Sequence, residues 1–441
     1  MGRLALLTGQ GFAARDMRSG GSTAHAFSPA ATAFWLAGIS LLIGCGNNGA
    51  APPELPAKIS IQAGNNQQAP IGTTVAIAPT VAVSDQSGSP VPNVSVNFVV
   101  ASGGGSVTGG NTTTNTSGVA TVGSWTLGPL PGTNTVTATA SGSGIAGNPA
   151  TFTATGCSNC WTTKASMPTA RWLLATEQVG NILYALGGAN PNIIGVLATV
   201  EAYDPSTNTW TTRASMPTAR QGLGVTAING ILYAVGGLDA AGNLLATVEA
   251  YDPSNNIWTT KASMPTARTG LGVTAINGIL YAVGGDVGGA NTATVEAYDP
   301  GGNTWTTEAP MPTAQSGVAV TAINGILYAV GGGATVEAYD PSSNTWTTKA
   351  SMPTPRGLFS ATSINGILYA AGGVSHVLNQ FIVVATVEAY DPSTNTWTTK
   401  ASMPTARYAF AGTAINGILY AVGGFDDAAV SIVATLTAYQ P

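Results

Sequence analysis

The stretch ATVEAYDPSNNIWTTKASMPTARTGLGVTAINGILYAVGG, residues 246–285, recurs with small edits from residue 161 to residue 441 and decides the fold. It reads as four short strands. GLGVTAI and ILYAVGG flank Asn277-Gly278, two residues that tolerate the positive φ of a tight primed turn, so the first two strands form an antiparallel hairpin. After Gly284-Gly285 a loop leads to the next ATVEAY, and Asp252-Pro253-Ser254 shows how such a third strand stops, in a proline-plus-polar turn. The fourth strand, IWTTKAS, ends at Met264-Pro265-Thr266, which carries the chain into the next copy. Four strands without a helix, recurring about every 40–50 residues, predict the blades of a β-propeller.

The paired glycines at 187–188, 236–237, 284–285, 331–332, 372–373 and 423–424, followed by a Tyr and, in all but the last copy, a Trp, resemble the Kelch motif over residues 161–441. No Trp-Asp dipeptide ends a strand, which argues against a WD-type propeller. The resemblance implies a propeller and leaves function open. Trp161, Trp210, Trp258, Trp305, Trp346 and Trp397 number six, as do the double glycines. The segment opens with a lone fourth strand, Trp161 to Ala165, and closes with a third strand, Ala434 to Tyr439, that lacks a fourth. The two halves complete one another. The predicted fold is therefore all-β, with a six-bladed propeller closed by its N-terminal strand and no open sheet edge at the seam.

The rest of the chain surrounds that ring. Of 441 residues only 7% are charged, the net charge is −5 and glycine is abundant at 57, a composition suited to an all-β extracytoplasmic protein. The absence of a basic cluster argues against nucleic acid as a partner. Residues 31–44, ATAFWLAGISLLIG, are too short to span a bilayer comfortably and read as the core of a signal peptide over 1–44. Leu42-Ile43-Gly44-Cys45 resembles the bacterial lipobox, which implies cleavage before Cys45 and lipidation of that residue. An ordinary signal peptide or an uncleaved anchor are the alternatives. Arg3, Arg15 and Arg18 supply positive charge before the apolar run, and either Met1 or Met17 serves as the start. Gly46 stands where an aspartate would resemble an inner-membrane retention signal, so the expected location is the outer membrane or cell surface, with the membrane contacted through the lipid alone.

Residues 45–57 form a Gly, Asn, Ala and Pro tether. From 58 to 156 the pattern changes to non-repeating alternating strands, KISIQA, TVAIAPTVAVSD, VSVNFVV, GVATVGSWTL, NTVTATA and TFTATG, which predict an immunoglobulin-like sandwich. VAVSDQSGSPVPNVSVNFVV, TNTSGVATVGSWTLG and PGTNTVTATASG resemble the bacterial group 1 immunoglobulin-like domains that form the stalks of invasin-type adhesins. Trp125 is expected in the sandwich core. Cys157 and Cys160, in a linker over 157–160, lack the helix of a redox pair and the second pair of a zinc site, so a local disulfide is expected.

Strand alternation assigns the loops to two rims. The uniform Asn-Gly and Asp-Pro turns share one, while the variable loops after the double glycines share the other with the PTAR links between blades. Specificity is expected on the variable rim. Arg171, Arg220, Arg268, Arg356 and Arg407 stand there at the start of the innermost strands, with Gln315 in the fourth blade. They could grip carboxylates or sugar hydroxyls, or pair with Glu201, Glu249, Glu296, Glu337 and Glu388 to join blades, with Thr437 in the last third strand. Tryptophans and tyrosines that recur in every blade are expected to pack. Residues that break the repeat are the better ligand candidates: Trp172, Tyr408 and Phe359 after the links, and His376, Phe381, Asp426 and Asp427 in variable loops.

No metal or cofactor is expected. A copper radical oxidase of Kelch type needs several histidines and a cysteine bonded to a tyrosine, and the propeller segment holds one histidine, His376, with Cys160 at its edge. A Ser-His-Asp triad lacks a nucleophile motif. The expected function is binding or adhesion, through glycan or surface protein, by a lipid-anchored envelope protein. The alternatives are a carbohydrate-active isomerase, since bacterial sialate mutarotases are Kelch propellers, and a structural envelope component.

Overall fold

The computed structural model describes residues 55–441 apart from 193–194, 332 and 378–379, with the backbone only at 376–377. The expected signal segment and Cys45 lie outside the described residues. Those described contain no helix and belong to one compact unit.

Ten strands precede the repeats: β1 (Lys58–Ala63), β2 (Gln67–Pro70), β3 (Thr80–Ser84), β4 (Ser95–Ser102), β5 (Ser106–Thr108), β6 (Asn111–Thr113), β7 (Val119–Thr121), β8 (Ser124–Thr126), β9 (Gly132–Ala140) and β10 (Ala150–Cys157). They build a three-stranded sheet ordered β1-β3-β7, a five-stranded sheet ordered β2-β10-β9-β4-β6, and the pair β5-β8. Alternation places Val81, Val96, Phe98, Val136 and Phe152 in one core with the fully buried Trp125. Two sequence expectations change in detail. TVAIAPTVAVSD yields a strand only after Pro79, whose missing N–H cannot join a ladder. GVATVGSWTL divides at Gly123 between two sheets, and the crossing point admits only glycine, since a Cβ there would stand 2.8 Å from the Thr108 hydroxyl and 2.9 Å from its carbonyl oxygen.

The repeats form six four-stranded antiparallel sheets among the described residues. Their innermost strands are Ala175–Val179, Gly224–Ile228, Gly272–Ile276, Ala319–Ile323, Ser360–Ile364 and Ala411–Ile415. Each innermost strand packs on the next, and the sixth returns to the first, so the blades surround a central axis. The last blade takes its outer strand from β11 (Cys160–Lys164), which pairs with Leu436–Gln440, Trp161 opposite Tyr439.

One joint is repeated at each blade boundary. The Trp210 indole N–H donates to the Ala165 carbonyl, and the Ala165 N–H donates back to Asn208 Oδ1. Trp258, Trp305, Trp346 and Trp397 repeat this, and at the seam Trp161 donates to Ala401 while Ala401 donates to Asn159. Asn159 and Cys160 are therefore parts of the propeller, which begins before the expected boundary at Trp161. Cys157 ends β10, Cys160 begins β11, and the two are joined in a disulfide, so the expected linker is instead a direct passage from sandwich strand to propeller strand.

Candidate functional site

The post-glycine loops and the arginine-bearing links meet on one rim. In the first blade Trp172 and Ala189 exchange main-chain hydrogen bonds of 3.1 and 2.9 Å, and Gln221 with Leu238, Thr269 with Asp286 and Gly357 with Val374 repeat the contact. The double glycine permits it. Gly187 and Gly188 have φ of 60° and 94°, and a Cβ on them would stand 2.5 Å from the Arg220 carbonyl oxygen and 2.6 Å from that of Trp172. Inside these contacts a chain of five main-chain hydrogen bonds threads all six blades, Ala409 to Leu358, Leu173 to Ala409, Gly222 to Leu173, Gly270 to Gly222 and Gly317 to Gly270.

The arginines face away from this rim's surface. All five are at most 1% exposed. Arg171, Arg220, Arg268 and Arg356 pair with Glu201, Glu249, Glu296 and Glu388 at 2.9, 2.9, 2.7 and 3.1 Å. Arg268 also donates to the carbonyls of Ala282, Gly284 and Thr294, satisfying the ends of its own blade's strands. Burial pulls the Arg171 guanidinium down to about 10 against the attraction of Glu201. The expectation that these residues grip a ligand is thus corrected: all five are sealed from solvent, and four of them are held by a glutamate of their own blade. The expectation that the ion pairs join blades also changes. Each pair lies within one blade, and the inter-blade bond comes from the arginine backbone, as when the Gly188 N–H donates to the Arg220 carbonyl at 2.9 Å.

Two blades depart from this pattern. Gln315 donates to Glu337 at 3.3 Å in the fourth, and Arg407 donates to the Thr437 hydroxyl at 2.7 Å in the sixth. Burial pulls Arg407 down to about 10, with Asp426 opposing.

The remaining candidates separate by exposure. Phe359 is core, 6% exposed with the Arg356 guanidinium 5.7 Å over its ring, so it is not available to a ligand. Asp426 is also buried, accepting from the Ala429 N–H, while Asp427 is exposed. His376 and Phe381 lie opposite each other on the hairpin Val374–Val377/Gln380–Val383; Phe381 is exposed and the His376 side chain lies outside the described residues.

Trp172 and Tyr408 are brought together. They are half-buried, with ring centroids 6.1 Å apart and edge to face. Phe425 completes the group, 5.3 Å from Tyr408 and 6.4 Å from Trp172. At the link position of Trp172 the other blades carry Gln221, Thr269, Ser316, Gly357 and Tyr408. After the double glycine they carry Ala189, Leu238, Asp286, Gly333, Val374 and Phe425. The three aromatic residues at these twelve positions all fall at the seam of the first and sixth blades. Phe425 escaped the sequence reading, although tabulating the residue after each double glycine would have found it.

A second feature lies on the axis. The middle residues of all six innermost strands line a cavity of about 340 Å³. The third residue of each is Thr226, Thr274, Thr321, Thr362 or Thr413, and in the first blade it is Glu177. Burial pushes the Glu177 carboxyl up to about 7, although the Gln178 N–H donates to it at 2.8 Å. Glu177 was also missed; comparison of ATEQV with GVTAI was the available signal.

Comparison with known proteins agrees with this geometry. Residues 174–373 match the family model for the KLHDC2/KLHL20/DRC7 Kelch-repeats domain, and residues 355–404 match the Kelch motif. The described residues are all-β, and residues 160–441 form a propeller with Kelch repeats. The solved structure of YjhT is similar in fold, with a TM-score of 0.54 and 16% identity over 62% of this chain and 95% of that one. No curated protein matches the sequence. A Kelch propeller supports a binding or structural role in general.

Proposed function

We propose that this protein is a glycan-binding module of the bacterial envelope, with Trp172, Tyr408 and Phe425 as the anchor of its site. The observation that carries this reading is the convergence, at one seam, of aromatic residues that break the repeat. Aromatic faces offer large, rigid contact area to the C–H faces of sugar rings, and partly exposed aromatic clusters on a rigid scaffold mark recognition surfaces. Asp427, exposed beside the cluster, offers an acceptor for hydroxyl groups. In this reading residues 58–156 act as an immunoglobulin-like stalk and Cys45 carries the lipid that tethers both to an outer membrane. The isomerase alternative calls for an arginine and a free carboxylate in one pocket, and burial of the arginines weighs against it.

A glycan array probed with the full chain and with Trp172→Ala tests the reading. The variant should lose at least about tenfold in affinity for any glycan bound, equal to about 1.4 kcal/mol, while still unfolding in one cooperative transition above the assay temperature. Equal binding by both proteins, or loss only when the 374–384 loop is deleted, would move the site elsewhere.

A further inference from the structure

We infer that the axial cavity is a second ligand site, for a small hydroxylated primary amine whose ammonium group is held by Glu177. Glu177 is the only charged residue among those lining the cavity. Each fully buried glutamate of the propeller has a side-chain partner, arginine for Glu201, Glu249, Glu296 and Glu388, and Thr313 with Gln315 for Glu337, whereas Glu177 is half-buried. Glu177 accepts only the N–H of its neighbour Gln178, so one carboxylate oxygen has no protein donor. A carboxylate taken out of bulk water without a partner is costly, and an ammonium ligand supplies that partner.

The surroundings select the body of the ligand. Among the described residues, Thr226, Thr274, Thr321, Thr362 and Thr413 line the cavity, and their hydroxyls have no hydrogen-bond partner in the chain. Hydroxyls both donate and accept, which matches the hydroxyl groups of a small polyol. A volume of about 340 Å³ lies at the small end of ligand pockets. A divalent metal fits poorly, because calcium and magnesium sites combine several oxygen ligands with more anionic charge than one carboxylate provides. The described residues contain no group of three or more histidine, cysteine or acidic side chains placed for a metal. The repeat itself isolates the substitution: a threonine at this position suffices to build five blades, so the glutamate is not required by the fold.

Thermal denaturation of the full chain with glucamine, 1-amino-1-deoxysorbitol, tests the inference against the uncharged counterpart sorbitol at equal millimolar concentration. Glucamine at about ten times its Kd should raise the melting temperature by about 2–4 °C, and sorbitol should not. Glu177→Gln and Glu177→Thr should fold and lose the shift, whereas Trp172→Ala, which removes the rim anchor, should retain it. The inference is overturned by an equal response to sorbitol, by a shift that survives in both Glu177 variants, by no response to glucamine, or by a Glu177-dependent shift from calcium or magnesium alone. Retention of the glucamine response in Trp172→Ala with loss of glycan binding separates this site from the rim.

Discussion

Glu177 shows how one residue departs from a repeat with thermodynamic effect. In the unfolded chain its carboxyl titrates near 4.5, and in the fold burial holds it up at about 7. Between those values the native state keeps a proton that the unfolded state has released, so its contribution favours folding fully below about pH 4.5 and is lost as pH rises through 7. Because the side chain is only half-buried, solvent screening limits the effect to about 1–2 kcal/mol. Denaturant titrations at pH 5 and pH 8 should show the native protein losing that much relative to Glu177→Gln. Parallel pH profiles would remove the raised carboxyl from the account.

At the scale of the element, five of the six blades hold a buried arginine on the incoming link, and the natural variation in the fourth allows a test. Arg268→Met leaves Glu296 buried without a counter-charge and should cost about 3–5 kcal/mol in chemical denaturation. The fourth blade already lacks its arginine, and Gln315 Oε1 is buried there without a partner beside Glu337. Gln315→Arg should therefore stabilise the protein by about 1 kcal/mol, because the position accepts arginine in the other five blades. A loss of stability would show that the short loop at Gly333 has reshaped that pocket. The local elements were legible in the sequence: Asn-Gly marks the hairpin between Ile276 and Ile279, and Asp-Pro the turn after Tyr251, because both signals act over neighbouring residues. The direction of the arginines was not legible. Arg268 next to an exposed loop and Arg268 folded back on Glu296 share the same local sequence, and only packing distinguishes them.

The whole molecule depends on one closure between its ends. Trp161 stacks 5.1 Å from Tyr439 and donates to Ala401, reproducing at the seam the joint that chain continuity supplies elsewhere. Trp161→Ala and Trp305→Ala should each cost about 2–4 kcal/mol in denaturant titration and unfold in a single transition. A much smaller cost at Trp161 would mean that the ring does not rely on its seam. Asn159 lies between two cysteines, yet CSNCW aligns with STNTW at 206–210, and its side chain fills the repeat's joint. The two cysteine letters concealed the repeat.

The sequence by itself determined the blades, their turns, the strand that closes the ring and the rim on which the loops vary. Each follows from alternation, turn chemistry or counting along the chain. Tertiary structure alone decided which departures from the repeat meet. Trp172 and Tyr408 lie at opposite ends of the propeller segment and become neighbours because the first and last blades share a seam. Glu177 becomes the one charged residue among the described residues lining the axial cavity because six strands are wrapped around it, a placement that exists only once the ring has closed.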